Sequence, residues 1–583
     1  MTAVIRYVVG SRNPLTHLFD VQMTIEQPAA LQHVSLPAWI PGSYMIREFA
    51  KHLQGLTARQ GRKACVLAQL NKHTWSVTCQ PGRPLTLSYQ VYAFDPSVRA
   101  AFLDGTRGFF NGTSLCLRAH GHELAPHELS VQAPRGTPGW QVATGLRPVR
   151  VNARGWGTYR AADYDELVDA PFECGHFWTG RFVAGGSPHR LVVTGALPSF
   201  DSARLLADTE RICTAAIRLW HGKNGRPPQR DYVFLLHAVE DGYGGLEHRN
   251  STALICSRRD LPRLGESALS DAYVTLLGLI SHEYFHTWNV KRLRPIEFTR
   301  YDLTQENHTQ LLWFFEGFTS YFDDLLLVRS GLISPAHYLK LLSKTIAAVD
   351  QTPGRKVQSV AQSSFDAWVK YYRQDENTLN ATVSYYTKGS LVALCLDLSL
   401  RAEGSSLEAV MRGLWKRCAG GPMSEADLLD ELQHQTGRSW AADIQAWVHS
   451  TADLPLARLL RAQGVKIDTE KAPMAQRLGL RAQEGGAGIT VKAVLRGSAA
   501  ELAGMAAGDE WLGVEVGSGT RRQSWRLKKL DDLPTLLGPA QRCRALVSRD
   551  QVLVWLDLKV PKLASNWTLL PDPDAQQVLK RWL

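Results

Sequence analysis

The chain has 583 residues, a length at which several hydrophobic cores are expected rather than one. Hydrophobic residues make up 44% and charged residues 21%, as in folded globular proteins, and no apolar run reaches the roughly 18 residues of a membrane-spanning helix. The net charge of +11 is spread along the chain without a nucleic-acid-binding motif, so no nucleic acid is expected as a partner.

The N-terminal residues lead directly into a strand-like run and lack the pattern of a secretory signal. The nine cysteines are scattered without a Cys-x-x-Cys pair, which predicts reduced thiols rather than disulfides or a thiolate zinc site. These features favour a cytoplasmic protein, with a periplasmic location left open if a signal peptide has been removed.

The first part of the chain, residues 1–165, reads as short strands. Runs such as Leu85–Tyr92 alternate apolar and polar residues and are punctuated by Gly, Pro and Asn. This pattern predicts an antiparallel β domain. The segment that contains Trp39-Ile-Pro-Gly42 is predicted to be a turn-rich crossing rather than a helix.

Strands alternate with helices in residues 166–333, where the pattern predicts helices over Ser202–Trp220, Ser270–Val290 and Thr309–Arg329. Either Ser270 or Asp271 can cap the second of these. Helices dominate residues 334–462, strands return in residues 463–562, and residues 563–583 are assigned to a C-terminal tail. The chain is therefore predicted to be a multidomain α+β protein.

Two histidines, His282 and His286, lie four residues apart in the run His-Glu-Tyr-Phe-His. At this spacing both imidazoles lie on one face of a helix and can bind one metal ion. The helix is otherwise strongly apolar, so burying these rings and Glu283 without partners would be costly. A divalent cation satisfies them together.

Glu316 is a candidate third ligand, because it is the only charged residue in the apolar stretch Leu311–Phe322. Two imidazoles, one carboxylate and an open fourth position describe a catalytic zinc site, with one Zn²⁺ per chain. Glu283 points off the ligand face, which suits a general base that accepts a proton from the attacking water. Thr319 and Asn289, one helical turn beyond Glu316 and His286, are placed to orient the ligands.

The segments His282–Pro295 and Trp313–Tyr321 resemble the glycyl aminopeptidase family of gluzincin zinc metallopeptidases, and Asp163–Pro171 and Trp39–Gly42 also fit this family. The resemblance implies an N-terminal β domain, a thermolysin-like catalytic domain, a helical domain and a PDZ domain. It also implies an aminopeptidase that prefers an N-terminal glycine or alanine.

The run Gly242–Asn250 resembles the amine-binding loop of aminopeptidase N-like enzymes. There Gly244 and Gly245 would let the backbone approach the substrate, and Glu247 would bind the free α-ammonium group. His248 is expected to be a neighbour rather than a ligand.

The spacing in Tyr386-Thr-Lys-Gly389 resembles that of the tyrosine which donates to the oxyanion in the same enzymes. Tyr386 fits this spacing, although Tyr385 stays open as the donor. Arg477–Leu480 looks like the carboxylate-binding loop of a PDZ fold, whose groove would accept a peptide or a C-terminus.

The leading hypothesis is a zinc aminopeptidase that acts on peptides with a free N-terminus. One alternative is a zinc endopeptidase in which Glu247 has no role. The other is a binding protein that uses the PDZ-like groove and carries a vestigial metal site.

Overall fold

The computed structural model describes residues 4–486, 488–562 and 564–583. The chain divides into two compact units. The first comprises residues 4–308 together with Arg329–Leu332 and Met411–Ser424, and the second comprises the remaining described residues from Thr309 to Leu583. Within the described ranges, none of the helices combines the length and hydrophobicity needed to cross a membrane.

The largest sheet of the first unit has eight strands. Their side chains alternate between the core and the surface, as the pattern of Leu85–Tyr92 predicts. In spatial order the strands are Arg147–Val151, Gly157–Ala161, His127–Val131, Ile5–Gly10, Leu18–Ile25, Leu85–Tyr92, Leu53–Gln60 and Lys63–Ala64.

One strand pair of this sheet departs from the predicted antiparallel arrangement. Ile5–Gly10 runs parallel to His127–Val131, whereas the other pairs of the sheet are antiparallel. A parallel pair cannot be closed by a hairpin, so the chain forms other strands before it returns. Local alternation of side chains carries no information about such a distant partner.

Two four-stranded sheets complete the N-terminal β region. Their strands in spatial order are Gln141–Thr144, Phe172–Gly175, Arg107–Phe110 and Ala101–Leu103 in one, and Arg118–Ala119, Leu31–Ser35, Thr74–Thr78 and Val66–Gln69 in the other. The first contains a buried ion pair between Arg107 and Glu173 at 2.8 Å, and Thr194 also donates to that glutamate.

A five-stranded mixed sheet follows, in the order Trp178–Ala184, Ser187–Thr194, Tyr232–Val239, Ser251–Ser257 and Gly244–Glu247. Its parallel central strand Tyr232–Val239 is almost continuously apolar, as expected of a strand buried within a covered sheet. The helices Ser202–His221 and Asp271–Phe285 pack against each other and this sheet. The short helices of this unit are Gly112–Leu115 and Tyr164–Val168.

The second unit contains most of the helices. Its α-helices before the C-terminal strands are Leu312–Phe315, Gly317–Arg329, Pro335–Asp350, Val360–Phe365, Thr378–Ala381, Thr387–Ala402, Glu425–Thr436, Ala441–Trp447 and Leu456–Ala462. The helix Leu407–Arg417 begins in this unit, and its residues from Met411 onward belong to the first unit. The helix predicted over Thr309–Arg329 is thus divided in two at Glu316. Residues Ala367–Tyr371 form a π-helical turn.

The C-terminal part of the second unit contains a six-stranded sheet around its own apolar core, which includes Trp511, Leu533 and Val547. Its strands are Leu480–Gly485, Gly488–Val494, Glu510–Val516, Arg542–Arg549 and Val552–Lys559 in order, with Gln523–Arg526 paired to the third. The short helices here are Met474–Leu478, Ala499–Leu502 and Leu533–Leu537. Arg477 and Gly479 of the predicted carboxylate-binding loop lie at the end of the first of these helices.

Residues 564–583, from the segment assigned to a tail, form regular secondary structure. Ser565–Pro571 forms an antiparallel pair with Val465–Lys471, and the chain ends in the helix Gln576–Trp582. The N–H of Leu569 donates to Ser343 Oγ at 3.0 Å. These residues are therefore part of the folded second unit.

Candidate active site and metal centre

The helix Asp271–Phe285, here called the histidine helix, carries the metal-ligand motif. Ser270 caps its start, because the Ser270 hydroxyl accepts from the N–H of Tyr273 at 3.1 Å. Of the two capping residues predicted, Ser270 therefore fills the role. The helix ends earlier than its predicted end at Val290, with His286 as its C-terminal cap.

The two histidine rings lie side by side, with centroids 4.7 Å apart and nearly perpendicular planes. His286 is buried, and its Nδ1–H donates to the backbone carbonyl of Asn289 at 2.6 Å. This bond fixes the tautomer that leaves the Nε2 lone pair for a metal. Asn289 therefore supports the ring through its backbone.

Two buried carboxylates accompany His286 in the first unit. One potential ligand atom each from Glu247, Glu283 and His286 lies within 4.8 Å of the others, and the two glutamates are only 4% and 5% exposed. Two carboxylates this close repel each other unless a cation or a shared proton offsets their charge. Lys291 offsets part of this charge at Glu247, and a bound cation would offset more of it.

Glu247 Oε1 is buried and has no hydrogen-bond partner within the described ranges. A buried acceptor of this kind costs free energy until a donor reaches it. An ammonium group supplies the missing donor, and its positive charge adds to that of Lys291. This carboxylate is therefore suited to hold a protonated amine.

Two glycines make room for the carboxylates. A Cβ on Gly245 would lie 2.0 Å from Glu283 Oε1, and a Cβ on Gly42 would lie 2.6 Å from both carboxylate oxygens of Glu247. Gly244 precedes Gly245 at the start of the strand that ends at Glu247. The approach of Gly244 and Gly245 to a substrate stays a prediction, and the closeness of Gly42 to Glu247 was not predicted.

Asp169 fixes the residues that follow Glu247. Its carboxylate accepts from the backbone N–H of Arg249 at 2.9 Å, and it lies 2.7 Å from Lys291 Nζ and 3.4 Å from His248 Nδ1. Burial opposes its ionisation, but Lys291 and His248 hold the pKa of Asp169 well below its usual range. His248 thus pairs with Asp169, consistent with its expected role as a neighbour.

Glu316 lies in the second unit, at the break between the helices Leu312–Phe315 and Gly317–Arg329, and is 2% exposed. A Cβ on Gly317 would lie 2.6 Å from the backbone of Gly389, so two backbones meet beside Glu316. The Thr319 hydroxyl donates to the Phe315 carbonyl at 2.6 Å, a bond within its own helix segment.

Tyr386 precedes the helix Thr387–Ala402 of the same unit. Burial, followed by the charge of Glu316, raises the pKa of Tyr386 well above its usual value, so this phenol is protonated at neutral pH and can donate. The adjacent Tyr385 is completely buried, whereas Tyr386 remains partly exposed. Exposure therefore favours Tyr386 as the residue that can reach a substrate.

A cluster of four tyrosines surrounds this position, and sequence reasoning identified only two of them. Tyr371 stacks near Tyr385 and Tyr386 with ring centroids 4.8 and 5.6 Å away, and the Tyr372 hydroxyl oxygen lies 3.4 Å from that of Tyr386. The structure thus brings together His282, His286, Glu283 and Glu247 in the first unit, and Glu316 and Tyr386 in the second.

Two family models match the chain: the Peptidase M61 N-terminal domain over residues 6–176, and the M61 glycyl aminopeptidase over residues 275–392. Among solved structures, an aminopeptidase N family protein from Idiomarina loihiensis is similar, with 37% sequence identity and a TM-score of 0.93 over 99% of this chain and 100% of that chain. An M1 zinc metallopeptidase from Deinococcus radiodurans aligns with 16% identity and a TM-score of 0.48, over 78% of this chain and 95% of that one. No curated protein matches the chain.

Proposed function

Since the chain belongs to the M61 glycyl aminopeptidase family and is a peptidase, we propose that it is a zinc-dependent aminopeptidase that hydrolyses the first peptide bond of its substrates. The observation that carries this proposal is the buried, unpartnered Oε1 of Glu247 beside His286. It combines an ammonium acceptor with a metal-ligand motif in one place. That combination suits an enzyme that binds a free N-terminus and cleaves the peptide bond next to it.

We assign one zinc ion per chain to His282, His286 and Glu316. Two imidazoles and one carboxylate are the donor set of a catalytic zinc site with a position left for water or substrate. The buried position of Glu316 supports its assignment, because burying a charged carboxylate is costly and a metal ion would offset that cost. A zinc ion held there supplies a Lewis acid that polarises the peptide carbonyl and acidifies bound water.

Glu283 is assigned as the general base. It is fixed on the histidine helix, and Gly245 leaves the space that its carboxylate occupies. From this position Glu283 accepts a proton from the attacking water and returns it to the leaving amine. Such a step requires only that the carboxylate be ionised when the substrate binds.

Tyr386 is assigned as the donor to the oxyanion. Its phenol keeps its proton at neutral pH because burial and Glu316 oppose ionisation. A protonated phenol aimed at the developing negative charge stabilises the transition state more than the ground state. The complete burial of Tyr385 supports the choice of Tyr386.

Glu247 is assigned to the substrate's α-ammonium group, with Gly244 and Gly245 forming the adjacent backbone. The family resemblance further implies a preference for N-terminal glycine or alanine, which we include in the proposal. We also propose that residues 463–562 form a PDZ-like domain whose groove accepts a peptide or a C-terminus.

The endopeptidase alternative uses the same catalytic residues but leaves Glu247 without a substrate contact. The two are separated by paired peptides of one sequence, beginning with alanine, that have either a free or an acetylated N-terminus. The aminopeptidase cleaves the free peptide and leaves the acetylated one intact. Equal cleavage of both peptides would contradict the proposal.

Glu247→Ala gives the matching test on the enzyme. We expect a loss of kcat/KM on the free peptide on the order of 100-fold, since a buried charged hydrogen bond is removed. Glu240→Ala, at an exposed glutamate nearby in the sequence, serves as the control and should retain full activity. Full activity of Glu247→Ala on free peptides would exclude the assigned role.

A further inference from the structure

We infer that Tyr372 is a positioning residue that orients the phenol of Tyr386 toward the substrate. The hydroxyl oxygens of the two residues lie 3.4 Å apart, which makes a long hydrogen bond in which either hydroxyl can be the donor. The inference rests on the proposed function, in which Tyr386 donates to the oxyanion.

The π-helical turn Ala367–Tyr371 explains how Tyr372 reaches this position. The N–H of Tyr372 donates to the Ala367 carbonyl at 3.0 Å, which closes the wider π turn. Such a turn contains more residues than an α turn and changes the direction of the side chains at its end. π turns are rare and recur at functional sites, so this turn suggests a functional role for the residues that it positions.

Tyr371, at the end of the turn, and Tyr372, which follows it, have different environments. Tyr371 packs its ring against Tyr385 and Tyr386, and its hydroxyl accepts from Ser384 Oγ at 3.4 Å. Tyr372 instead reaches the hydroxyl of Tyr386. Tyr371 therefore contacts Tyr386 through its ring, whereas Tyr372 contacts it through its hydroxyl.

The contact between the two hydroxyls can determine where the Tyr386 proton is donated. Each hydroxyl has one proton to donate and can accept as well. When Tyr372 donates to the Tyr386 oxygen, the Tyr386 proton is left for another acceptor. That acceptor is the substrate oxygen in the proposed reaction, and the donated bond also makes Tyr386 a stronger hydrogen-bond donor.

Tyr372→Phe removes only this hydroxyl and keeps the aromatic packing. We expect kcat on a free alanyl peptide to fall roughly 10-fold with KM nearly unchanged, because the contact matters in the transition state. Tyr371→Phe is the matched control at the neighbouring position and should stay within about 2-fold of wild type, since the Tyr386 hydroxyl keeps its partner.

The decisive comparison is made in the Tyr386→Phe background. If Tyr372 acts through Tyr386, adding Tyr372→Phe to Tyr386→Phe has no further effect on kcat. An unchanged kcat for Tyr372→Phe alone would overturn the inference, and so would the same 10-fold loss in both backgrounds.

Two further readouts separate other causes. The melting temperatures of Tyr372→Phe and Tyr371→Phe should match. A lower melting temperature for Tyr372→Phe than for Tyr371→Phe would indicate a structural role of Tyr372 and contradict the inference. Wild-type activity of Tyr386→Phe would instead refute the proposed oxyanion donor. A large loss in Tyr386→Phe combined with none in Tyr372→Phe would refute the positioning role alone.

Discussion

The carboxylates of Glu247 and Glu283 lie close to one imidazole and are both almost fully buried. Residues of one charge are rarely gathered in this way without a cation, because their repulsion is strong where water is excluded. In the proposed site the two carboxylates have separate tasks. Glu247 binds the substrate's ammonium group, and Glu283 transfers a proton.

Glu283→Gln tests the proton-transfer role. The amide has the same shape and fits beside Gly245, but it cannot accept the proton, so kcat should fall by about 10²–10⁴-fold while zinc content is unchanged. Turnover of a free alanyl peptide and metal analysis provide the two readouts. Loss of zinc, or retention of activity, would contradict the role.

Much of this site could be predicted from residue types and spacing. His282, Glu283 and His286 stand in a motif whose chemistry is local to one helix, and Glu316 was noticeable as a charge in an apolar run. The contact of Gly42 with Glu247 could not be predicted, because it joins segments that are distant in the chain. Tyr372 was not predicted, because a π turn rather than a regular helix sets the direction of its side chain.

Lys388 offers a test of pH dependence at a single residue. It is 3% exposed, and burial, followed by the charge of Arg355, lowers its pKa to about 8. The unfolded chain holds this proton up to a pKa of about 10.4. Between these values the unfolded chain binds more protons, so the contribution of Lys388 to stability rises with pH.

The melting temperature of wild type relative to Lys388→Met should therefore increase as the pH is raised from 7 to 10. Lys492→Met, at an exposed lysine, should show a constant difference from wild type over the same range. A constant difference for Lys388→Met would show that its ammonium group titrates normally.

At the scale of elements, two helices meet where each has a glycine. A Cβ on Gly317 would lie 2.6 Å from Gly389 Cα, and a Cβ on Gly389 would lie 2.7 Å from the Trp313 carbonyl oxygen. Backbone atoms cannot move aside as side chains can. The two glycines therefore allow the contact that places Tyr386 in the electrostatic field of Glu316.

Gly317→Ala should separate these helices and destabilise the protein by about 1–3 kcal/mol, as overpacking does elsewhere. Chemical denaturation measures the change in the free energy of unfolding. Peptidase activity should also fall, because the proposed ligand Glu316 directly precedes Gly317. Gly485→Ala is the control, since a Cβ there meets nothing within 4 Å and the backbone is not left-handed. Equal stabilities of the two variants would refute this account of the crossing.

The sequence pattern predicted one helix over Thr309–Arg329, whereas the structure breaks it at Glu316. Apolar periodicity continues through the break, because both helices are buried on several sides. The interruption is confined to Glu316, which keeps a right-handed helical backbone and helical hydrogen bonds to Leu312 and Ser320. The histidine helix, with a serine cap and a continuous apolar run, was predicted more closely.

At the scale of the whole molecule, the last residues of the chain are part of the second unit. Trp582 is completely buried, and its Nε1–H donates to the Tyr321 hydroxyl at 3.1 Å. Tyr321 in turn donates to Asp397, which pairs with Arg401 at 2.9 Å. The chain end is thus tied into a buried polar network on two helices.

Trp582→Ala should lower the free energy of unfolding by about 3–5 kcal/mol, as expected for removal of a buried tryptophan. Trp525→Ala is the matched control, because Trp525 is 48% exposed. Urea denaturation compares the two variants. A loss for Trp582→Ala no larger than that of the control would contradict the structural role of the chain end.

Residues 563–583 were assigned to a C-terminal tail from the sequence. Its strand becomes visible only with its partner Val465–Lys471, some distance earlier in the chain. The parallel pairing of Ile5–Gly10 with His127–Val131 was hidden for the same reason. The type and order of the secondary-structure elements follow from local sequence patterns, whereas the pairing of strands depends on the folded chain.

The central claim is that one zinc ion is held by His282, His286 and Glu316. Zinc content per chain, measured by mass spectrometry on purified wild type and on Glu316→Ala, tests it most directly. We expect about one zinc ion per wild-type chain and a loss of roughly 10-fold or more in zinc affinity for the variant, since one of three protein ligands is removed. A wild-type protein without zinc that remains active, or a variant that binds zinc as tightly as wild type, would contradict it.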